Sequence, residues 1–171
     1  EKEFGTMELL LASPLKPREI ILGKVTPYLV LSLVNALTII LLGLLVFQVP
    51  LVGSIWLLLA ECMLYICLAL SLGVLISTNA KTQQIAMVIS LLGLMLPTIL
   101  LSGFIFPIDN MPKILQVLSS IMPARYFIVI IKNIMLKGTG MAFIWKETLI
   151  LAAMTLFFIV AATRRFQTRL T

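Results

Sequence analysis

The side chains able to do chemistry in this chain are few, and most of them exclude an activity. The 171 residues contain no histidine, so neither a Ser-His-Asp nor a Cys-His arrangement can form. Cys62 and Cys67 lie five apart inside an apolar run. That is not a metal-ligand spacing, and no acidic cluster supplies a metal site in its place. Gly23-Lys24 is followed by Val25 and lacks the upstream glycine of a phosphate-binding loop. Any nucleotide this system consumes is therefore expected on another polypeptide. Two acidic features remain: Glu61, alone in an apolar run, and Glu1, Glu3 and Glu8 at the start of the chain.

A carboxylate inside hydrocarbon costs about 2.5–3.5 kcal/mol on insertion scales, so it normally faces a polar interior. Glu61 lies six residues into its run, roughly 9 Å from the boundary at 1.5 Å per helical residue. It either reaches that interface or lines a pathway or a hydrogen-bonded pair, with Asn35 or Ser32 of the preceding run as partner. Lys146 and Glu147, near the start of another run, are expected to snorkel to its outer boundary. Arg125, two residues after Pro123, either anchors a turn by donating to carbonyls or faces lipid headgroups. Asp109 and Asn110 read as turn residues between Pro107 and Pro112. Ser90, Gly93, Thr98 and Ser102 around Pro97 offer a small surface for close packing or bending.

The elements that must position these groups are set by hydropathy. The chain is 61% hydrophobic and only 12% charged, with a mean hydropathy of +1.14, more apolar surface than a soluble domain can hide. Four runs, 25–47, 55–77, 85–104 and 141–163, are each long enough to cross about 30 Å of hydrocarbon as helix. They are continuous rather than alternating, and a bilayer demands internally paired backbone, which excludes strands. The expected fold is an all-α membrane protein with four transmembrane helices. The net charge of +6 sits at the ends of apolar runs, where lipid headgroups lie, and not among stacking aromatics, so no nucleic-acid partner is expected.

Lys2, Lys16, Arg18 and Lys24, then Lys81, then Arg164, Arg165 and Arg169 fall on one side if both ends are cytosolic. The other side then carries the smaller basic share, so positive-inside places both ends in the cytosol. Trp56 and Trp145 fall together at the outer ends of their spans, as an interfacial aromatic belt requires. Residues 105–140 are interrupted by Pro107, Pro112 and Pro123. Ile114, Leu115, Val117, Leu118 and Ile121 repeat at helical spacing, and 126–136 is too short to span. Two short helices, in the outer interface or dipping back into the protein, are expected there. At the opening, Phe4, Met7, Leu10 and Leu11 can form an apolar stripe. The result is a short amphipathic helix resting on lipid or against a protein. Its acidic side chains favour the protein, because inner-leaflet lipids are negative.

An ordered set of motifs carries a family resemblance. Glu1-x-Glu3-x-Gly5-Thr6-x-Glu8-x-Leu10-Leu11-x-Ser13-Pro14, then Glu19 and Gly23-Lys24, resembles the cytosolic coupling segment of ABC-2 type ABC-transporter permeases. Leu96-Pro97, Leu101-Ser102-Gly103-Phe104-Ile105-Phe106-Pro107, Met111-Pro112, Pro123-Ala124-Arg125-Tyr126 and Leu136-Lys137-Gly138 resemble the last external hairpin of that family. The hairpin is most similar to bacterial permeases of the multidrug-export branch.

The resemblance implies a non-catalytic transport subunit of an ATP-driven exporter in the cell (inner) membrane. Residues 1–23 would be the coupling segment, with Glu3, Gly5, Thr6 and Glu8 docking in a cleft of an ABC ATPase subunit. Residues 24–163 would be the membrane domain, 105–140 the external hairpin with Pro107, Asp109, Pro123, Arg125 and Tyr126, and 164–171 a basic cytosolic tail. ATP and Mg would bind the ATPase, and a second permease subunit would complete the pathway for a drug-like or lipid substrate. Family members have six spans, so this chain is expected to be the C-terminal part of one, unable to transport alone. Two other functions stay open: a secondary transporter or channel using Glu61, and a membrane scaffold whose cytosolic helix recruits a partner.

Overall fold

The computed structural model describes residues 17–167. Glu3, Gly5, Thr6 and Glu8 therefore lie outside the described residues. Among those described there is no strand. Helix α1 covers Pro17–Leu45, α2 Ile55–Asn79 and α3 Gln83–Ile89. A π-helical segment, Ser90–Met95, leads without a break into α4, Leu96–Leu101. Then come α5, Lys113–Ile121, α6, Pro123–Lys137, and α7, Met141–Gln167. Four stretches are long and apolar enough to cross a membrane: Leu22–Leu45, Ile55–Asn79, Gln83–Leu101 and Met141–Arg164.

Two of these stop short of the apolar run that predicts them, for a local backbone reason. The run 25–47 ends as helix at Leu45, because Gln48 turns into the left-handed region (φ 51°) and Pro50 follows. The run 85–104 ends at Leu101, with Ser102 as cap and Gly103 at φ 80°. The π-helical turn has its cause in Pro97. Proline donates no hydrogen bond and its ring collides with the carbonyl four residues back, at Gly93. Widening the preceding turn relieves that collision, and the Leu96 amide reaches Leu91 instead.

Helices α2 and α7 start at the same end of the molecule and run parallel. The Thr148 hydroxyl, seven residues into α7, donates to Glu61, six residues into α2 (2.7 Å). Helix α6 lies against both and runs the other way. Its Phe127 stacks on Tyr65 (centroids 4.2 Å apart, planes 1° from parallel). Its Met135 carbonyl accepts from the Val52 amide ahead of α2 (3.0 Å). Tyr65 is ten residues into α2, roughly 15 Å below its start, so α6 begins deep beside the spans and climbs out. Helix α6 thus lies along α2 and α7 and not across their ends. Leu58, Leu68, Ile130, Ile134, Ile144 and Leu151, all at most 1% exposed, form the three-helix core.

Outside that core the apolar surface is turned outward. The spans in α1 and α3–α4 bury none of their residues within the chain, and Trp56 at the start of α2 is 79% exposed. Helix α5 is inverted relative to a soluble helix. Ile114 on its apolar face is 76% exposed while Ser119 is fully buried, its hydroxyl donating to the Leu101 carbonyl (2.7 Å). An apolar exterior over a polar interior is what a hydrocarbon solvent selects.

The α1–α2 loop and the end of α6 interlock through two glycines. A Cβ on Gly53 would collide with the Ile134 carbonyl oxygen. One on Gly138, which caps α6 at φ 64°, would come within 2.7 Å of Val52 Cγ1. Gly53→Ala or Gly138→Ala should therefore destabilise the protein by about 1–3 kcal/mol, read as a lowered thermal midpoint in detergent. Gly43→Ala, where a Cβ meets nothing, should leave the midpoint unchanged or raise it.

Candidate functional site

The polar site of the described bundle is built where α2 and α7 meet. On α2, Leu58, Glu61, Cys62 and Leu68 are all buried. On α7, Ile144 and Leu151 face them, and Thr148 falls on the same stripe at three- and four-residue spacing. Glu61 is 3% exposed. Its Oε1 accepts from Thr148, while its Oε2 is buried without a partner. Glu147, next along α7, likewise has a buried Oε2 without a partner.

The Thr148 hydroxyl has one proton and two acceptors, Glu61 at 2.7 Å and the Ile144 carbonyl at 3.0 Å. Each instant's hydrogen bond to Glu61 is thus won from the helix's own backbone. A hydrogen bond to a charged group is worth about 1.5–3 kcal/mol, against about 2.5–3.5 kcal/mol for placing the carboxylate in hydrocarbon. Thr148 therefore offsets most of the cost but leaves one acceptor open. The site can receive a further donor, whether a hydroxyl, an ammonium or a cation. Among the described residues no group of three or more His, Cys, Asp or Glu side chains could hold a metal.

The partner expected from sequence is corrected here. Neither Asn35, exposed on α1, nor Ser32 bonds Glu61, which accepts from Thr148 on the last span instead. Sequence reasoning missed Thr148 because a lone threonine in an apolar helix resembles helix-bound filler. The usable signal was its register with Ile144 and Leu151.

Pro123, Arg125 and Tyr126 gather at the bend between α5 and α6, whose axes meet at 84°. Pro123 opens α6 in its first turn, where a missing N–H costs nothing. Arg125 Nη1 donates to the Ser120 hydroxyl (3.0 Å) and the Gln116 carbonyl (3.3 Å). Tyr126 donates to the Ser120 carbonyl (2.9 Å). Both side chains therefore reach back from α6 and take up carbonyls at the end of α5. Pro107 caps a single 3-10 turn, Ile108–Asn110, that contains Asp109. Lys146 lies over the Trp145 ring, 5.9 Å from its centroid.

The importance of the Glu61–Thr148 bond is open to measurement by a double-mutant cycle. Thr148→Val should destabilise the wild type by about 1–2 kcal/mol, yet cost clearly less in a Glu61→Leu background. Thermal midpoints of the four proteins in one detergent give the coupling directly.

Comparison with known proteins places the chain in context. The family described as ABC-2 family transporter protein matches residues 1–164. The chain is 37% identical over 147 residues to the probable multidrug ABC transporter permease YbhR of Escherichia coli K12, covering 86% of this chain and 40% of that protein. It is 36% identical over 159 residues to the probable multidrug ABC transporter permease YbhS of the same organism, covering 93% and 42%. To the inner membrane transport permease YhhJ, also of that organism, it is 32% identical over 169 residues, covering 98% and 45%. The chain thus spans less than half the length of these relatives. No solved structure matches it.

Proposed function

The chain belongs to the ABC-2 family of transporter proteins, and from that membership we propose that it forms part of the permease subunit of an ATP-driven exporter. The observation that carries this is the family match along residues 1–164 of a chain with four candidate spans. The permease pairs with a second copy and with ATPase subunits that bind ATP and Mg. It moves drug-like or other amphipathic molecules out of the cell, consistent with relatives named as multidrug permeases. The membrane is the inner membrane, with both ends of this chain in the cytosol.

The coupling role falls to Glu3, Gly5, Thr6 and Glu8, outside the described residues. What supports it in the described part is α1. The helix runs from Pro17 to Leu45 and takes in Arg18, Glu19 and Lys24 ahead of the uncharged run that begins at Val25. One continuous rod thus extends below the apolar boundary, with Pro27 inside it as a point of bending. Displacement applied near Pro17 is carried into the bundle without crossing a loop. Glu3→Ala combined with Glu8→Ala should reduce both co-purification with the ATPase and substrate-stimulated ATP hydrolysis by several-fold, leaving the thermal midpoint of the permease unchanged. Wild-type hydrolysis and wild-type complex yield in that variant would remove the coupling role.

The sidedness has its own test. The Trp56 and Trp145 end is external and the Lys81 turn internal. With Cys62 and Cys67 replaced by serine, Gly140→Cys should react with a membrane-impermeant maleimide in intact cells. Lys81→Cys should react only after the membrane is opened. Reversed labelling would invert the topology.

The unpartnered Glu61 Oε2 favours one second function, an ion site that works without ATP. Ion-gradient-driven uptake in vesicles lacking the ATPase, abolished by Glu61→Gln, would establish it. Uptake that depends wholly on the ATPase excludes it.

A further inference from the structure

Away from the Glu61 seam, α2 and α3 leave the Ala80–Thr82 turn and diverge. Between them lies a shallow, largely open groove of about 550 Å³. Gly73, Ile76 and Ser77 of α2 form one wall, and Ala86, Met87 and Met95 of the α3–π-helical stretch form the other. Small residues on both walls make the space, and two flexible methionine side chains border it, able to adapt to an irregular guest. Ser90, the other hydroxyl in the lining, is committed to the Ala86 carbonyl (2.8 Å). The cleft is therefore almost wholly apolar, and within the range of about 300–1,000 Å³ seen for small-molecule sites.

The end of this groove toward the connecting turn is marked by charge. Lys81 sits in the turn that joins the two walls, exposed and without a polar partner among the described residues. It is the only charged side chain between Glu61 and Asp109. A cation beside an apolar groove complements an anion that carries a long hydrocarbon tail.

We propose that the α2–α3 cleft binds one acyl chain of an anionic phospholipid from the leaflet facing the Lys81 turn, with the lipid phosphate held by Lys81. The wall it meets is the π-helical turn imposed by Pro97, so the bound chain lies against the least regular part of the third span. This site is separate from the transport proposal and is read without ATP, so its failure leaves that proposal standing.

Native mass spectrometry of the detergent-purified full chain, titrated with phosphatidylglycerol or phosphatidylcholine, provides the test. The wild type should retain one phosphatidylglycerol about fivefold more strongly than phosphatidylcholine, the discrimination a single surface lysine supplies. Lys81→Gln should remove that preference. Gly73→Leu places a side chain in the cleft where a Cβ meets nothing within 4 Å, and should abolish retention of both lipids. Lys81→Gln alters only an exposed turn, so it keeps the test decisive should the leucine disturb folding. Equal retention of the two lipids by the wild type, or retention indifferent to Gly73→Leu, overturns the proposal. So does a crosslink from Met87→Cys, in the Cys62→Ser, Cys67→Ser background, to another protein segment in native membranes, because the cleft would then be covered by protein.

Discussion

Unpaired backbone groups cost too much in hydrocarbon to be tolerated, and that constraint organises this bundle more than any single contact. Every departure from regular helix is made good nearby. Where Pro97 removes a donor, the turn before it widens and Leu96 pairs with Leu91. Where α4 ends, Ser119 supplies a hydroxyl to the Leu101 carbonyl. At the bend between α5 and α6, Arg125 and Tyr126 take the Gln116 and Ser120 carbonyls. Where α6 ends, the Asn133 carbonyl accepts from the backbone of Gly138 and from both the amide and the hydroxyl of Thr139. The breaks are what allow α6 to turn back along α2 and α7, and they exist because each is locally repaired.

That returning helix explains the unequal packing of the rest. Filling the seam between α2 and α7 with α6 produces a dry core of Leu58, Ile130, Ile134, Ile144 and Leu151. The Gly53 and Gly138 contacts clamp its upper end, and the Tyr65–Phe127 stack clamps its lower end. The α1 and α3–α4 spans pack far less within the chain and keep apolar faces outward. The described bundle is thus a tight three-helix block with looser spans beside it, of which α3–α4 borders the open groove.

Much of this was legible from residues. The length and apolarity of the four runs announced the spans, because membrane thickness sets a minimum helix length. Pro123 and Pro112 announced short helices in the hairpin. The five apolar positions from Ile114 to Ile121 announced one amphipathic face on α5, whose polar side the structure turns inward. What could not be read was rotation. A helix that is apolar all round carries no mark of which face meets a neighbour, so the residues offer Asn35 or Ser32 of the adjacent span as a partner for Glu61 and do not point to Thr148 on the last. The helix ends at Leu45 and Leu101 were likewise hidden, since Val46, Phe47 and Phe104 continue the apolar run after the backbone has turned.

The sequence by itself determined the solvent, the number of long apolar runs and the lack of histidine. Those follow from side-chain transfer energies and from missing residue types, which are properties of composition and order. Only the tertiary structure decided that α2 and α7 run parallel with α6 wedged between them, that Glu61 spends one oxygen on Thr148, and that Lys81 stands over an open cleft. Those are relations between residues as many as 87 positions apart, and they arise from packing three dimensions of side chains that no local pattern encodes.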